Sequence, residues 1–150
     1  MRWLDPYCIL EEGEKSRRHH HHHSELCLRG VDTKKAPMHE LAELFPSLER
    51  LRLIESTLHS FRDLGLHPRL RVFNAARCGV TDLDGIRCLL TLEELYLPFN
   101  DVEDCTALAL HDTLIVLDLE SNRVHDDAEI ETLGTCPHLL ALTLTGNPIA

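Results

Sequence analysis

The hydrophobic positions of this chain recur at a fixed spacing of 22 residues. The stretch Leu92–Asn100 shows the pattern, with leucines at its first, fourth and sixth positions and asparagine at its ninth. Similar stretches begin at Leu48, Leu70, Leu114 and, after a longer interval of 25 residues, Leu139. Because leucines that alternate with other residues line one side of a strand, each stretch predicts a short strand. The intervals between strands leave room for only a turn of α-helix or a 3-10 segment.

Several apolar columns extend this alignment beyond the strands. The inward strand positions are Leu51 and Leu53, Phe73 and Ala75, Leu95 and Leu97, Leu117 and Leu119, and Leu142 and Leu144. The later columns are Leu58, Val80, Val102 and Val124; Phe61, Leu83 and Cys105; and Leu64, Ile86, Leu108 and Ile130. A fixed period in this range is the signature of leucine-rich repeats. The predicted fold is an α/β leucine-rich repeat solenoid, with short parallel strands on the concave face and short helices or 3-10 turns on the convex face.

The chain divides into three predicted segments. Residues 1–24 are a low-complexity N-terminal segment, which we expect to be disordered. Its five histidines, His19–His23, are compatible with metal binding, but a tag-like run is favoured because no cysteine or carboxylate fixes a geometry. Residues 25–47 form the predicted N-terminal cap, with a strand over Glu25–Arg29 and a helix over Ala36–Phe45. Residues 48–150 hold four full repeats and one incomplete repeat, so we expect a fragment that lacks its C-terminal cap.

The ninth position of the repeat predicts structural roles. It is occupied by Ser56, Cys78, Asn100, Asn122 and Asn147. Where the chain leaves a strand its backbone groups lose their ladder partners, and a buried amide side chain can replace those partners. Asn100, Asn122 and Asn147 are therefore predicted to form a structural ladder. In the fourth repeat the three additional residues predict a longer helix, with Asp126 as its cap.

Composition and charge exclude several classes of function. The formal charge of −10 argues against general nucleic-acid binding, and no apolar segment is long enough for membrane insertion. The start of the chain lacks the apolar run of a signal peptide, which predicts a cytoplasmic protein. Six cysteines without a Cys-x-x-Cys pair predict reduced structural thiols. No catalytic, cofactor-binding or metal-binding constellation is apparent, so the chain is predicted not to be an enzyme.

The outward strand positions are the candidate binding residues. Tyr96 and Phe99 are flanked by aliphatic side chains with charged borders, a composition typical of protein-binding hot spots. The predicted protein-binding residues on the concave face are Arg50, Arg52, Asn74, Arg77, Glu94, Tyr96, Phe99, Asp118 and Glu120. Charge is uneven along the repeats: residues 48–77 carry six arginines and three acids, whereas residues 78–150 carry two arginines and fourteen acids. This asymmetry favours a partner that is bipolar or basic at one end, unless many of the acids only solvate the convex turns.

Four motifs point to a particular family, and the Ala76–Ile86 run is the most specific because it departs from the generic repeat consensus. These are Phe61–Gly65 (FRDLG), Ala76–Ile86 (ARCGVTDLDGI), Leu117–Glu120 (LDLE) and Leu142–Asn147 (LTLTGN). Over about residues 25–150 the chain resembles the leucine-rich repeat-containing protein 56 family, within the short 22-residue class of repeats. The resemblance implies a cytoplasmic and ciliary or flagellar factor, a non-enzymatic scaffold in the assembly or intraflagellar transport of outer dynein arms. The implied partners are intraflagellar transport or dynein-arm components, and the oligomeric state stays undetermined.

Two alternatives remain at this point. A regulatory subunit could dock on a protein phosphatase through the same concave face, since phosphatase-regulating proteins share the short repeat class. An RNA-associated repeat protein would need a basic concave face, which only the first two repeats provide.

Overall fold

The repeats form a single seven-stranded sheet. The computed structural model describes residues 24–150, together with the backbone of a two-residue strand at residues 8 and 9. The strands lie in the sheet in chain order: β1 Cys8–Ile9, β2 Glu25–Arg29, β3 Arg50–Ile54, β4 Val72–Asn74, β5 Glu94–Tyr96, β6 Val116–Asp118 and β7 Ala141–Thr143. β1 pairs antiparallel with β2, and every later pair is parallel. The predicted solenoid is confirmed, including the strand over Glu25–Arg29.

Short helices connect the strands on the convex side. The 3-10 segments are Met38–Glu40, Phe61–Leu64, Ile86–Cys88 and Thr106–Leu108, and the α-helices are α1 Leu41–Leu44 and α2 Asp127–Gly134. Asp126 caps α2 as predicted, because its side chain accepts a hydrogen bond of 2.9 Å from the backbone N–H of Ala128. The continuous helix predicted over Ala36–Phe45 is wrong in its first half, which forms a 3-10 turn before α1 begins.

The predicted apolar columns pack between the strands and the convex segments. Leu51, Phe73, Leu95 and Leu117 are each at most 1% exposed, and the 3-10 residues Phe61, Ile86 and Leu108 are fully buried. Phe61 and Phe73 also meet edge to face, with ring centroids 5.7 Å apart. Because each repeat covers the apolar face of its neighbour, burial of the core depends on the stacking of repeats.

One column prediction is wrong in the fourth repeat. Ile130 is 40% exposed, whereas Leu133 is 1% exposed and occupies the core. Leu133 lies 25 residues after Leu108, so the three additional residues of this repeat lie between Leu108 and Leu133. The longer helix α2 absorbs them and turns Ile130 outward.

Burial decreases sharply at the last strand of the described sheet. Leu142 follows the inward pattern of Leu117 but is 39% exposed, and Leu140 is 87% exposed. β7 pairs with β6 on one side, and no further strand of the described sheet covers its other side. Apart from Ser24 and the strand β1, the N-terminal segment predicted to be disordered lies outside the described residues, as do His19–His23.

Three cysteines of the described part, Cys78, Cys105 and Cys136, are buried as small apolar residues. Cys78, Cys88, Cys105 and Cys136 are free thiols. Burial, with the nearby charge of Glu129, raises the pKa of Cys105 to about 12. Such a thiol stays protonated and unreactive at neutral pH. Within residues 24–150 no helix is long and apolar enough to cross a membrane.

Candidate protein-interaction face

The register of the sheet arranges the outward strand residues in two straight rows. The first row contains Arg50, Val72, Glu94 and Val116, each paired with the next across adjacent strands. The second row contains Arg52, Asn74, Tyr96 and Asp118, paired in the same way. The buried residues between the two rows point to the core, so both rows face away from it. We refer to these two rows as the concave face.

The tyrosine at the centre of the second row is anchored within its own strand. The hydroxyl of Tyr96 donates a hydrogen bond of 2.6 Å to the carboxylate of Glu94. This hydrogen bond, with partial burial and the charges of Glu94 and Asp118, raises the pKa of Tyr96. Tyr96 is therefore a neutral phenol at physiological pH. Its ring is fixed at the surface, and its oxygen can still accept a hydrogen bond from a partner.

Arg77 and Phe99 form a second feature at the turns that follow the strands. The guanidinium carbon of Arg77 lies 4.1 Å from the ring centroid of Phe99, which is the geometry of a cation–π contact. Both residues occupy the eighth position of their repeats, and both have a left-handed backbone, with φ of 55° and 59°. Their N–H groups donate to the carbonyls of Pro98 and Glu120 in the next repeat, at 3.1 and 2.8 Å. The left-handed turn and these backbone bonds bring the two side chains together.

The structure separates the two aromatic residues that the sequence grouped in one patch. Tyr96 lies in the middle of the concave face, whereas Phe99 lies three residues later in the turn and is 42% exposed. Among the described residues no ring contact joins them. Each instead has a charged neighbour, Glu94 for Tyr96 and Arg77 for Phe99. The concave face and the turn after β5 therefore present two separate aromatic features, with a negative charge beside Tyr96 and a positive charge beside Phe99.

The remaining predicted binding residues differ in how their polar groups are used. Arg50 forms a 3.4 Å ion pair with Glu25, whereas Arg52 is exposed and takes part in no ion pair of the described part. Asn74 and Asp118 both accept a hydrogen bond from the backbone N–H two residues later, at 3.1 and 2.9 Å. Glu120 supplies the N–H that bonds Asp118. The second row thus keeps one cation, Arg52, and one carboxylate, Asp118, that take part in no ion pair of the described part.

Several other charges pair between consecutive repeats, away from the two rows. Arg62 binds Asp84 through two hydrogen bonds, and the guanidinium holds the pKa of Asp84 below its usual value. Arg71 and Glu93 lie 2.7 Å apart, and Arg123 lies 3.3 Å from Asp101. The two charges within each of these ion pairs neutralise each other. Part of the charge asymmetry seen in the sequence is therefore not available to attract a partner.

The asparagines after β5, β6 and β7 are buried and hydrogen-bonded to the backbone of two repeats. The Oδ1 atom of Asn100 accepts from the N–H groups of Cys78 and Val80, and its Nδ2 donates to the carbonyl of Ala75. Asn122 and Asn147 accept in the same way from Val102 and Val124. These amides supply partners for backbone groups that have left the sheet ladder.

The sequence reasoning missed two features of this region. Arg77 and Phe99 were predicted as separate binding residues, although both fall in the eighth column, one repeat apart, and that alignment is a signal for their contact. The strand β1 was also missed, since a two-residue strand carries no periodic signal. Within residues 24–150, no group of three or more histidine, cysteine or carboxylate side chains could hold a metal ion.

Comparison with known proteins gives strong matches to one kind of repeat protein. No family model matches the chain. Leucine-rich repeat-containing protein 56 of Rattus norvegicus is 45% identical over 124 residues, which is 82% of this chain and 22% of the relative. The Homo sapiens protein of the same name is 44% identical over 124 residues, again 82% of this chain and 22% of the relative. The homolog of Trypanosoma brucei brucei is 35% identical over 117 residues, which is 75% of this chain and 16% of the relative. The chain thus spans about a fifth of the length of these relatives.

Proposed function

Because the chain belongs, through its repeats, to the leucine-rich repeat-containing protein 56 family, we propose that it is a protein-binding scaffold of the cilium or flagellum. Its role would be that of an adaptor in the assembly or intraflagellar transport of outer dynein arms. The proposed partners are transport or dynein-arm proteins, and the proposed location is the cytoplasm and the ciliary compartment. The relatives come from mammals and from a trypanosome, which supports a function shared by distant eukaryotes.

The observation that carries the binding proposal is the composition of the concave face. The scaffold positions of each repeat are occupied by similar residues, whereas the second outward row changes from cationic at β3 to aromatic at β5 and anionic at β6. Tyr96 and Phe99 both remain accessible beside charged residues. Aromatic and arginine side chains of this kind are enriched in the energetically dominant parts of protein interfaces.

The test is affinity purification from ciliated cells, with the wild-type chain compared with a Tyr96→Ala, Phe99→Ala double variant. We expect the wild type to recover transport or dynein-arm proteins and the double variant to lose them. A matched control is the Leu66→Ala, Leu110→Ala double variant, which removes two side chains that are 68% and 67% exposed outside the strands. This control should recover the same proteins as the wild type.

Two results would contradict the proposal in different ways. Equal recovery by the wild type and the Tyr96, Phe99 variant would show that these two aromatic side chains do not bind the partner. Recovery of a phosphatase catalytic subunit, without transport or dynein-arm proteins, would replace the ciliary role with phosphatase regulation.

A further inference from the structure

The second row of the concave face carries two opposite charges that have no ion-pair partner in the described part of the chain. Arg52 on β3 is exposed, and Asp118 on β6 is half-buried. Some other arginines of the repeats have carboxylate partners: Glu93 pairs with Arg71, and Asp84 pairs with Arg62. An unpaired cation and an unpaired carboxylate on one face are complementary to a partner with the opposite order of charge.

These two charges lie in the same row of the sheet. The register places Arg52 beside Asn74, Asn74 beside Tyr96, and Tyr96 beside Asp118. Arg52 and Asp118 are thus three strand steps apart, or about 14 Å at the usual spacing of strands. The row has a defined length and a defined direction of charge.

The two residues between the charges offer hydrogen-bonding groups to a peptide backbone. The Oδ1 atom of Asn74 accepts from the N–H of Ala76, and its amide nitrogen has no acceptor among the described residues. The hydroxyl of Tyr96 donates to Glu94, so its oxygen is left as an acceptor. An extended segment has carbonyl and N–H groups free to meet such a donor and acceptor, whereas a helix uses most of its own internally.

We propose that the concave face binds an extended polypeptide segment that places an acidic side chain on Arg52 and a lysine or arginine on Asp118. At about 3.3 Å per residue, a span of about 14 Å separates the two charges by about four residues. This inference rests on the proposed function, since it names the chemistry of the partner at the same face. Asn74 and Tyr96 contact the backbone between the two charged side chains.

The inference can be tested with four synthetic peptides that have the same threonine-rich background, which favours extended backbone. The first carries Asp and Lys four residues apart, the second carries them next to each other, the third has two Asp residues, and the fourth has two Lys residues. Binding to the purified chain is measured by fluorescence anisotropy at low and at physiological salt. We expect the first peptide to bind about tenfold more tightly than each of the others at low salt, with a smaller advantage at physiological salt.

Charge reversal in the protein should then change the preferred peptide in a predictable direction. Arg52→Glu makes both ends of the row acidic, so the peptide with two lysines should become the best ligand. Asp118→Lys makes both ends basic, so the peptide with two aspartates should become the best ligand. Arg69→Glu and Asp112→Lys are matched controls, because they change the net charge equally at exposed positions outside the strands. The two controls should keep the preference of the wild type.

The outcomes separate this inference from the proposed function. Equal binding of the four peptides, or the same shift in preference from the control substitutions, would overturn the bipolar extended segment. The proposed function would still stand if the Tyr96→Ala, Phe99→Ala variant lost the proteins recovered from ciliated cells. A clear preference for the first peptide, changed by Arg52→Glu and Asp118→Lys alone, would establish the inference whichever cellular partner is recovered.

Discussion

Two groups of turns use different side chains where backbone groups leave the sheet ladder and need other hydrogen-bond partners. The early turns follow β3 and β4, and the later turns follow β5, β6 and β7. In the later turns, buried asparagines accept from backbone N–H groups of the preceding repeat. After β4 the same column holds Cys78, whose sulfur is a weak hydrogen-bonding group. There the N–H of Leu58 donates instead to the backbone carbonyl of Cys78, at 2.9 Å.

This difference shows that the column position does not by itself determine how much a residue stabilises the fold. What matters is which buried backbone groups would lose a partner if the side chain were removed. Ser56 is intermediate, since its hydroxyl accepts from the N–H of Val31 and donates to the carbonyl of Ile54. The early turns should therefore tolerate substitution better than the later turns.

The largest expected effect comes from removing one asparagine of the later turns. Asn122→Ala strands the buried N–H of Val102 and removes the bonds to the carbonyls of Leu97 and Glu120. We expect a loss of about 1 to 3 kcal/mol for the stranded N–H alone. The measurement is the free energy of unfolding from urea titration, with an unchanged dependence on urea concentration.

Cys78→Ala is the matched substitution in the early turns. The N–H of Leu58 keeps its bond to the backbone of residue 78, so the loss should be smaller than that of Asn122→Ala. Equal losses from the two substitutions would show that the column position, and not the hydrogen bonds, sets the energetic cost.

The second prediction concerns two buried histidines of one convex column. His111 uses Nδ1 to accept from the N–H groups of Thr113 and Leu114, whereas Nδ1 of His67 has no hydrogen-bond partner. The repeat between them has Leu89 in this column, so leucine fits the position. His111→Leu should cost about 1 to 3 kcal/mol, because it leaves two N–H groups without an acceptor.

His67→Leu should be less costly at pH 7. It removes the 2.8 Å bond to the carbonyl of Leu64 but also removes a buried nitrogen that has no partner. Thermal unfolding of the two variants side by side gives the comparison, and a larger loss for the His67 variant would contradict it.

The third prediction follows from the pKa of His67. Burial lowers this pKa, although the hydrogen bond to the carbonyl of Leu64 opposes the shift. Below the ordinary histidine pKa of about 6.5, the unfolded chain binds a proton at this residue that the folded chain does not. His67 therefore reduces stability as the pH falls through that value, and its effect is constant above it.

Comparison with His67→Leu isolates this contribution from that of the other histidines. The free energy of unfolding, measured from pH 8 to pH 5, should fall less steeply in the variant than in the wild type. Parallel curves for the two proteins would show that His67 takes up a proton equally well in the folded and unfolded states.

The sequence predicted the repeated parts of the molecule much better than the parts where the repeat changes. Burial of Leu95, Leu97 and Asn100 follows from the alignment alone, because these columns pack against the corresponding columns of the neighbouring repeats. Ile130 was misplaced because the alignment does not show where the three additional residues enter the fourth repeat. The exposure of Leu142 depends on what packs beside β7. The pattern of residues within one repeat carries no information about that neighbour.

The candidate site was predictable only as a set of outward positions. Alternation along the strands identifies Arg52, Tyr96 and Asp118 as outward, but it does not show which charges are paired. The bond between Tyr96 and Glu94 depends on side-chain rotamers, and the neutralisation of Arg71 by Glu93 depends on contact across repeats. Their role in binding a partner stays a prediction until it is measured.

The smallest predicted effect lies where the early and later turns meet. Arg77 belongs to the turn after β4 and Phe99 to the turn after β5, and their cation–π contact joins the two kinds of turn through exposed side chains. A double-mutant cycle with Arg77→Ala and Phe99→Ala should give a coupling energy of about 0.5 to 1 kcal/mol, as expected for an exposed pair. Each side chain is held by a left-handed backbone that alanine also adopts at a cost, and this cost cancels in the cycle. A coupling energy near zero would mean that the contact adds nothing to stability, and that Phe99 is available to a partner without first separating from Arg77.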